Sequence, residues 1–452
     1  MSQYKPYPAY KDSGIAWLGE VPKHWHMSKV KWEFDTQLGK MLQPTQLDSE
    51  EIQVPYYKAL TVQWEMLSDK VNETMWASKK EIENYQIVQG DLLVCEGGEA
   101  GRSAIVKNNI KDTIIIQNSI HRVRPINNNR NEMLLRLLQT VSSAKWLEVL
   151  CNKATIVHFT GEKLGDLTFP VCTVQEQIAI AIYLDNETAR IDALIEKKIR
   201  FIDLLKEKRQ ALITNAVTKG LDPNVKMKDS GVAWLGEIPE HWEVKLVKYI
   251  TTHVGSGKTP SGGAEVYQDA GVIFLRSQNV HDGKLSLADV AYISEKIDEE
   301  MRGSRVYEGD ILLNITGGSI GRSCHVLTNI GPANVNQHVC IIRAAEKELG
   351  VWMATCFVSE LIRRQIEFLQ TGAGREGLNF EQIRNMILTI PPRREQKLIC
   401  EHIHAESFRI DLLSEKIQQS INLLKERRSA LITAAVTGKI DLREDTHEPN
   451  PS

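Results

Sequence analysis

The chain writes one long helix twice. Leu204-Leu-Lys-Glu-Lys-Arg-Gln-Ala-Leu-Ile-Thr-Asn-Ala-Val-Thr218 returns 219 positions later as Leu423-Leu-Lys-Glu-Arg-Arg-Ser-Ala-Leu-Ile-Thr-Ala-Ala-Val-Thr437. The same offset carries Arg190-Ile-Asp to Arg409-Ile-Asp and Glu176-Gln to Glu395-Gln. Ile191, Leu194, Ile195, Ile202, Leu205 and Leu212 recur every three to four positions, the period of one helix face. Ile410, Leu413, Ile417, Ile421, Leu424 and Leu431 repeat that stripe. About 42 residues, 176–217, give a rod of roughly 63 Å. Gly220 and Gly438 stand where a helix end takes a left-handed residue. Two rods with matching stripes pack most simply on each other as an antiparallel coiled coil. Ile191, Ile202, Leu205, Leu212, Ile410, Ile421, Leu424 and Leu431 are the residues expected at that seam and at the docking surface for partners.

A second repeat opens each half. Lys11-Asp-Ser-Gly-Ile-Ala-Trp-Leu-Gly-Glu-Val-Pro-Lys-His-Trp25 returns as Lys228-Asp-Ser-Gly-Val-Ala-Trp-Leu-Gly-Glu-Ile-Pro-Glu-His-Trp242. Repeats at both ends of one long period mean duplication of a whole unit rather than a solenoid. The Trp, Gly and Pro content reads as a packed turn, with nothing in it that does chemistry alone. A length of 452 residues gives a prior of about three domains. Hydrophobic content of 42% and charged content of 25% describe an ordinary globular chain. The net charge of −3 leaves room for a local basic face. No apolar run reaches membrane-spanning length, and the first ten residues lack a signal pattern, so the expected location is the cytoplasm. Seven cysteines without a C-x-x-C pair fit reduced, buried thiols.

Between the markers the halves are related but worn. Leu38-Gly-Lys40 aligns with Ser256-Gly-Lys258, and Tyr56-Tyr-Lys-Ala-Leu-Thr-Val62 with Phe274-Leu-Arg-Ser-Gln-Asn-Val280. Gln89-Gly-Asp-Leu-Leu-Val94 matches Glu308-Gly-Asp-Ile-Leu-Leu313, a Gly-Asp turn entering a strand. Gly97-Gly-Glu-Ala-Gly-Arg-Ser103 matches Gly317-Gly-Ser-Ile-Gly-Arg-Ser323, glycines suited to a tight hairpin or close backbone approach. Helices are expected at about 131–150 and 348–370. The fold class is therefore α/β (α+β), two duplicated globular domains separated by two long helices. The expected boundaries are 1–175, 176–221, 222–394 and 395–441, with a disordered tail at 442–452.

Candidate chemistry narrows by elimination. Gly255-Ser-Gly-Lys-Thr259 lacks the first glycine of a phosphate loop, because position 252 is Thr. His24-x-His26 and His402-x-His404 are isolated, and i, i+2 on a helix points the rings to different faces. There is no Asn-Pro-Pro-aromatic or Phe-x-Gly-x-Gly segment of an adenine methyltransferase, and no Pro-Asp dipeptide of the common nuclease motif. The chain is therefore expected to be non-catalytic, without metal or cofactor of its own. What recurs is basic: Lys40 and Lys258 (with Thr259 beside it), Lys58 and Arg276, Arg102 and Arg322, Arg124 and Arg343. Such residues on strand ends and hairpins suit phosphate contacts, which position without reading sequence. The amides Gln117, Asn118, Gln278, Asn279, Asn336 and Gln337 suit adenine edges. Gln278 and Asn279 face Leu60 and Thr61 in the internal alignment, so they are the stronger expectation for base contacts.

With these motifs assembled, the chain resembles the specificity subunit of type I restriction-modification enzymes over nearly its whole length. The resemblance rests on Gly257-Lys-Thr-Pro-Ser261, Gly309-Asp-Ile-Leu-Leu313, Thr316-Gly-Gly-Ser-Ile-Gly-Arg322, Val335-Asn-Gln337, Ile390-Pro-Pro392 with Glu395-Gln396, and the two closing helices. The first globular region departs from it, with Lys40-Met-Leu-Gln-Pro44 and Cys95-Glu-Gly-Gly98 at the matching places. The resemblance implies two target-recognition domains, each reading one half of an asymmetric, interrupted site in double-stranded DNA. It implies helices that hold the spacing and dock two methyltransferase subunits carrying S-adenosylmethionine, with motor-nuclease restriction subunits in the full complex. Two other readings are a self-contained DNA methyltransferase or nuclease, and a coiled-coil scaffold that binds no DNA.

Overall fold

In the computed structural model, residues 5–107, 112–151, 158–260, 262–370 and 377–443 are described. Ser261 of the Gly-Lys-Thr-Pro-Ser stretch and the tail from 444 onward lie outside them. The chain forms two compact units, one of Met1–Lys198 with Gln419–Ser452 and one of Ile199–Gln418. The helices expected as regions of their own are thus each divided between the units.

Each unit has the same topology. In the first, a four-stranded antiparallel sheet runs in the order 103–105, 92–95, 120–125, 34–38. In the second the order is 323–325, 311–314, 339–344, 251–256. A three-stranded mixed sheet accompanies it: 115–116, 52–57, 74–77 in the first unit and 333–335, 272–275, 291–293 in the second. The aligned glycines before Lys40 and Lys258 are needed where these sheets meet. A Cβ on Gly39 would lie 2.4 Å from Gln117 O, and one on Gly257 would lie 1.6 Å from Val335 O.

The expected helix at 131–150 is two, Asn131–Ser143 and Trp146–Leu150, with Lys145 between them at φ 55°. That at 348–370 is likewise Lys347–Phe357 and Glu360–Gln370. The second break has a visible cause. Gln210 on the first long helix donates to Val358 O at 3.0 Å, and Thr214 accepts from the Glu360 N–H at 3.0 Å, so tertiary partners satisfy the interrupted backbone.

The long helices span Val174–Lys219 and Arg393–Val436. In the first unit the core around Trp25, Leu134 and Leu138 takes Leu431, Ile432, Ala435 and Val436 from the end of the second helix. In the second unit the core around Trp242 and Trp352 takes Ile213, Ala216 and Val217 from the end of the first. Gly438 and Gly220 are left-handed, φ 69° and 76°, and close each helix against the tryptophan of a marker, Trp25 and Trp242 respectively. The markers also hold the helix starts. His24 Nε2 lies 2.8 Å from Glu176 Oε1, and His241 Nε2 lies 2.7 Å from Glu395 Oε2.

In the first unit Arg428 pairs with Asp192 at 3.0 Å; in the second, Arg209 pairs with Asp411. Within the first unit Trp25 meets both the start of the first helix, at Glu176, and the end of the second, at Gly438, so the two helix segments there run antiparallel. Ile191, Leu205, Ile410, Ile421 and Leu431 are buried, while Ile202, Leu212 and Leu424 are half-buried. Leu194 and Leu413, read as part of the stripe, are instead exposed. At the expected start of the tail Leu442 is buried and Arg443 pairs with Asp441; the rest of that segment lies outside the described residues. Among the described residues no helix is long and apolar enough to cross a membrane.

Candidate nucleic-acid interface

Hydrogen bonds gather the expected segments along one edge of each unit. In the first, Lys40 N–H donates to Ile116 O, Asn118 N–H to Lys40 O, and Gln117 N–H to Tyr57 O. The Ala59 N–H donates to Ser119 Oγ at 3.2 Å, and Arg102 Nη2 donates to Ala59 O at 2.7 Å. In the second, Asn336 N–H donates to Leu275 O, and Asn314 Nδ2 donates to Ser277 O at 2.8 Å. The strand end after Gly39 or Gly257, the short turn Ala59–Thr61 or Ser277–Asn279, the turn at 117–119 or 336–338 and the glycine loop therefore converge.

Within that frame the side chains divide into those consumed by the protein and those left for a ligand. Lys40 is engaged inside the protein. It is buried, and its ammonium donates to Glu81 at 2.5 Å and to Gln43 at 2.8 Å. Burial would raise the Glu81 carboxyl, but Lys40 and the Ser78 cap hold it below its usual range. Asn279 is engaged in the same way. It is buried; its Oδ1 accepts from the Arg276 N–H at 2.9 Å, and its Nδ2 donates to Ser286 O and Asp289 O. Thr61, its match, does a similar job, accepting from the Lys58 N–H at 3.0 Å and donating to Lys58 O at 2.7 Å. The two differ in identity and agree in role.

Arg124 and Arg343 are also internal. Each grips the aspartate of its Gly-Asp turn with two hydrogen bonds, Arg124 on Asp91 at 2.6 and 2.8 Å and Arg343 on Asp310 at 2.7 and 2.8 Å. These fork-on-carboxylate bonds raise both guanidinium pKa values. Arg102 is nearly covered and tied to Ala59 O and Glu99, and Lys58 pairs with Glu73. Arg276 keeps partial exposure, donating to Asp289 O at 3.3 Å. Asn336 is buried, with its Oδ1 accepting from the His338 N–H; Gln117 and Asn118 are half-buried.

The second unit leaves more at its surface. Lys258, Thr259, Gln278, Arg322 and Gln337 are exposed. Gln278 donates to the exposed Asp289 carboxylate at 2.7 Å. Gln337 Nε2 lies 2.9 Å from His338 Nε2, whose Nδ1 lies 2.6 Å from Thr316 Oγ1. His338 was missed in the sequence; the only signal for it was its place directly after Asn336-Gln337. The geometry offers exposed cations and amides on a frame fixed by hydrogen bonds, which suits contact with a polyanion.

Two α/β units of one topology, each completed by segments of the two long helices, define a duplicated protein. The family model described as the type I restriction modification DNA specificity domain matches residues 22–203 and again 239–423, and the chain belongs to that family. It is 23% identical over 312 residues to the type I restriction enzyme EcoBI specificity subunit of Escherichia coli, covering 66% of this chain and 64% of that one. Identity to the EcoKI specificity subunit of E. coli strain K12 is 24% over 221 residues, 48% of this chain and 47% of that one. The chain thus matches less than two thirds of either E. coli relative. Against the MjaVIII specificity subunit of Methanocaldococcus jannaschii it is 23% identical over 431 residues, 94% of both. Two solved structures share the fold at 13% identity. One, from work on complex assembly and conformational transition of the type I R-M system, has a TM-score of 0.68 over 93% of this chain and 99% of that one. The other, the HsdS subunit from Thermoanaerobacter tengcongensis, has a TM-score of 0.50 over 93% and 98%.

Proposed function

We propose that the chain is the DNA-specificity subunit of a type I restriction-modification complex and carries no chemistry of its own. Each unit reads one half of a bipartite, asymmetric site in double-stranded DNA, and the helices hold the gap and dock the methyltransferase subunits. Those subunits bring S-adenosylmethionine, and a motor-nuclease subunit joins the restricting assembly. The observation that carries this reading is the pair of matched edges, built from the same sheets and turns and different in exposed side chains. Two different half-sites read by one scaffold require that combination, since phosphates look alike at both.

In the second unit Lys258, Arg276 and Arg322 contact phosphates, while Gln278 and Gln337 reach base edges. Partner docking uses apolar side chains that the helix seam leaves outside, such as Phe201, Leu204 and Phe408 in the second unit and Ile182 and Leu423 in the first.

The test exchanges residues 26–170 for the corresponding segment of a relative, leaving Trp25 in place as the seat of the second helix. Methylome sequencing of cells carrying the chimaera should show one half of the methylated sequence changed, with the other half and the gap unaltered. Both halves changing together, or neither, would refute the assignment of one unit to one half-site.

A further inference from the structure

Glu65 stands at the turn of a hairpin, Val62–Gln63 against Met66–Leu67, with φ 63°. The matching position in the second unit is Gly283, with φ 72°. Glycine adopts that left-handed backbone freely, whereas a glutamate does so against steric preference. Such an outlier persists where its surroundings over-determine it, and here they do. One carboxylate oxygen of Glu65, Oε1, accepts from Arg428 Nη2 at 2.7 Å and from Gln139 Nε2 at 2.5 Å, and forms an ion pair with Arg136, whose Nη1 lies 2.7 Å away. Arg136 continues to Asp185 at 2.6 Å and Arg428 to Asp192 at 3.0 Å. The chain of charges therefore links the hairpin, the helix Asn131–Ser143 and both long helices within the first unit.

The second unit lacks this arrangement. Arg209, the match of Arg428, pairs with Asp411, the match of Asp192, so the ion pair between the helices is common to both units. The hairpin turn there has a glycine in place of the carboxylate, and its Asp282 pairs with Arg363 at 2.7 Å on the helix Glu360–Gln370 instead. Under the first hairpin lies a cleft of about 620 Å³ lined by Trp64, Glu65, Gln139, Asp192, Ile195 and Arg428. The turn is tied to the helices by the charges of Glu65, while Trp64 beside it packs against the apolar core. The hairpin directly follows the turn Ala59–Thr61, which forms part of the candidate interface beside Lys58.

We propose that Glu65 is a positioning residue for DNA reading by the first unit, fixing the hairpin and the adjoining 58–61 turn to the helix pair so that the unit meets its half-site at one defined distance and angle. This rests on the proposal that the first unit reads a half-site.

The experiment uses the full chain assembled with its methyltransferase partner. Its substrates are the recognised site, found by methylome sequencing, and the same site with its gap one base pair longer. Glu65→Gly installs the residue that the second unit already uses at this position, so backbone strain is relieved as the ion pairs are lost. Glu65→Gln keeps an acceptor without the charge. The glycine variant should melt within a few degrees of the parent, since those two changes oppose each other. Its preference for the native over the lengthened site should fall about tenfold, the scale of losing hydrogen bonds to charged groups. The glutamine variant should fall between it and the parent. An unchanged preference in the glycine variant overturns the proposal, and so does a large drop in melting temperature with preference intact, because either result leaves Glu65 a support of the fold alone. If the parent assembly shows no preference between sites at all, the half-site reading itself fails, and this inference with it.

Discussion

Asn279 separates two accounts of the same residue, a base reader by sequence position and a structural clasp by geometry. Its side chain is 2% exposed and makes three hydrogen bonds to backbone groups: one accepted from the Arg276 N–H at 2.9 Å, two donated to Ser286 O at 3.2 Å and Asp289 O at 2.8 Å. A buried hydrogen bond contributes about 1 kcal/mol net, so Asn279→Ala should cost about 3 kcal/mol locally. Asn279→Thr copies the first unit, where Thr61 Oγ1 accepts from the Lys58 N–H. It restores one bond of the three and should cost about 2 kcal/mol. Native-state hydrogen exchange reads this site by site, because the Arg276 amide is itself the donor. Its opening free energy should fall in the order parent, threonine, alanine. The bases methylated by the assembled complex should stay the same for both variants. Unaltered protection of the Arg276 amide in Asn279→Ala, together with relaxed choice of one base, would refute the reasoning and return Asn279 to the list of base contacts.

Leu205→Asp puts a carboxylate into a buried position of the helix seam and should lower stability by several kcal/mol in thermal melts. Phe408→Asp, on an exposed side chain, should leave the melt unchanged and weaken co-elution with methyltransferase subunits in size-exclusion chromatography. Lys258→Ala and Arg322→Ala should each reduce the slope of log affinity against log salt by about 0.9, measured by fluorescence anisotropy on duplex DNA. Burial would raise the Glu65 carboxyl, but Arg136, Arg428 and Gln139 depress it from 4.5 to about 2, a difference of roughly 3 kcal/mol. A depressed carboxylate stabilises above its unfolded pKa, so that contribution should be complete above about pH 5 and decline between about pH 4.5 and 2 in the parent, with a shallower decline in Glu65→Gln melts over the same range.

The duplicated layout was legible because the chain can be compared with itself. The 219-residue offset fixed which segments correspond, and the helix stripe follows from the need to bury one face. Closure of the helices at Gly220 and Gly438 was legible for the same kind of reason, since only a residue easy in the left-handed region ends a helix there. The fate of individual polar side chains was not. Lys40 and Lys258 align and follow matching glycines, yet one is sealed against Glu81 and the other is exposed. Glu81 is a capping-box glutamate 41 positions away, and nothing near Lys40 announces it. The tie of Glu65 to Arg428 spans 363 positions and is equally silent in sequence.

Some of the residues kept in both units, and some that differ, are spent inside the protein. Asp91 with Arg124 and Asp310 with Arg343 are kept because they clamp a turn onto a sheet, a task set by the fold and blind to any ligand. Thr61 and Asn279 differ, yet both satisfy the same backbone N–H. Identity across the duplication therefore does not by itself separate a clamp of the frame from an exposed cation such as Lys258 or Arg322. On the function proposed above, contact with DNA falls on side chains that the frame leaves exposed. In the second unit these are Lys258, Arg322, Gln278 and Gln337, and in the first the corresponding positions are partly withdrawn into ion pairs. A scaffold that retains its clamps and frees its edge can change the half-site it reads without refolding, because the bonds holding the edge in place run through the backbone.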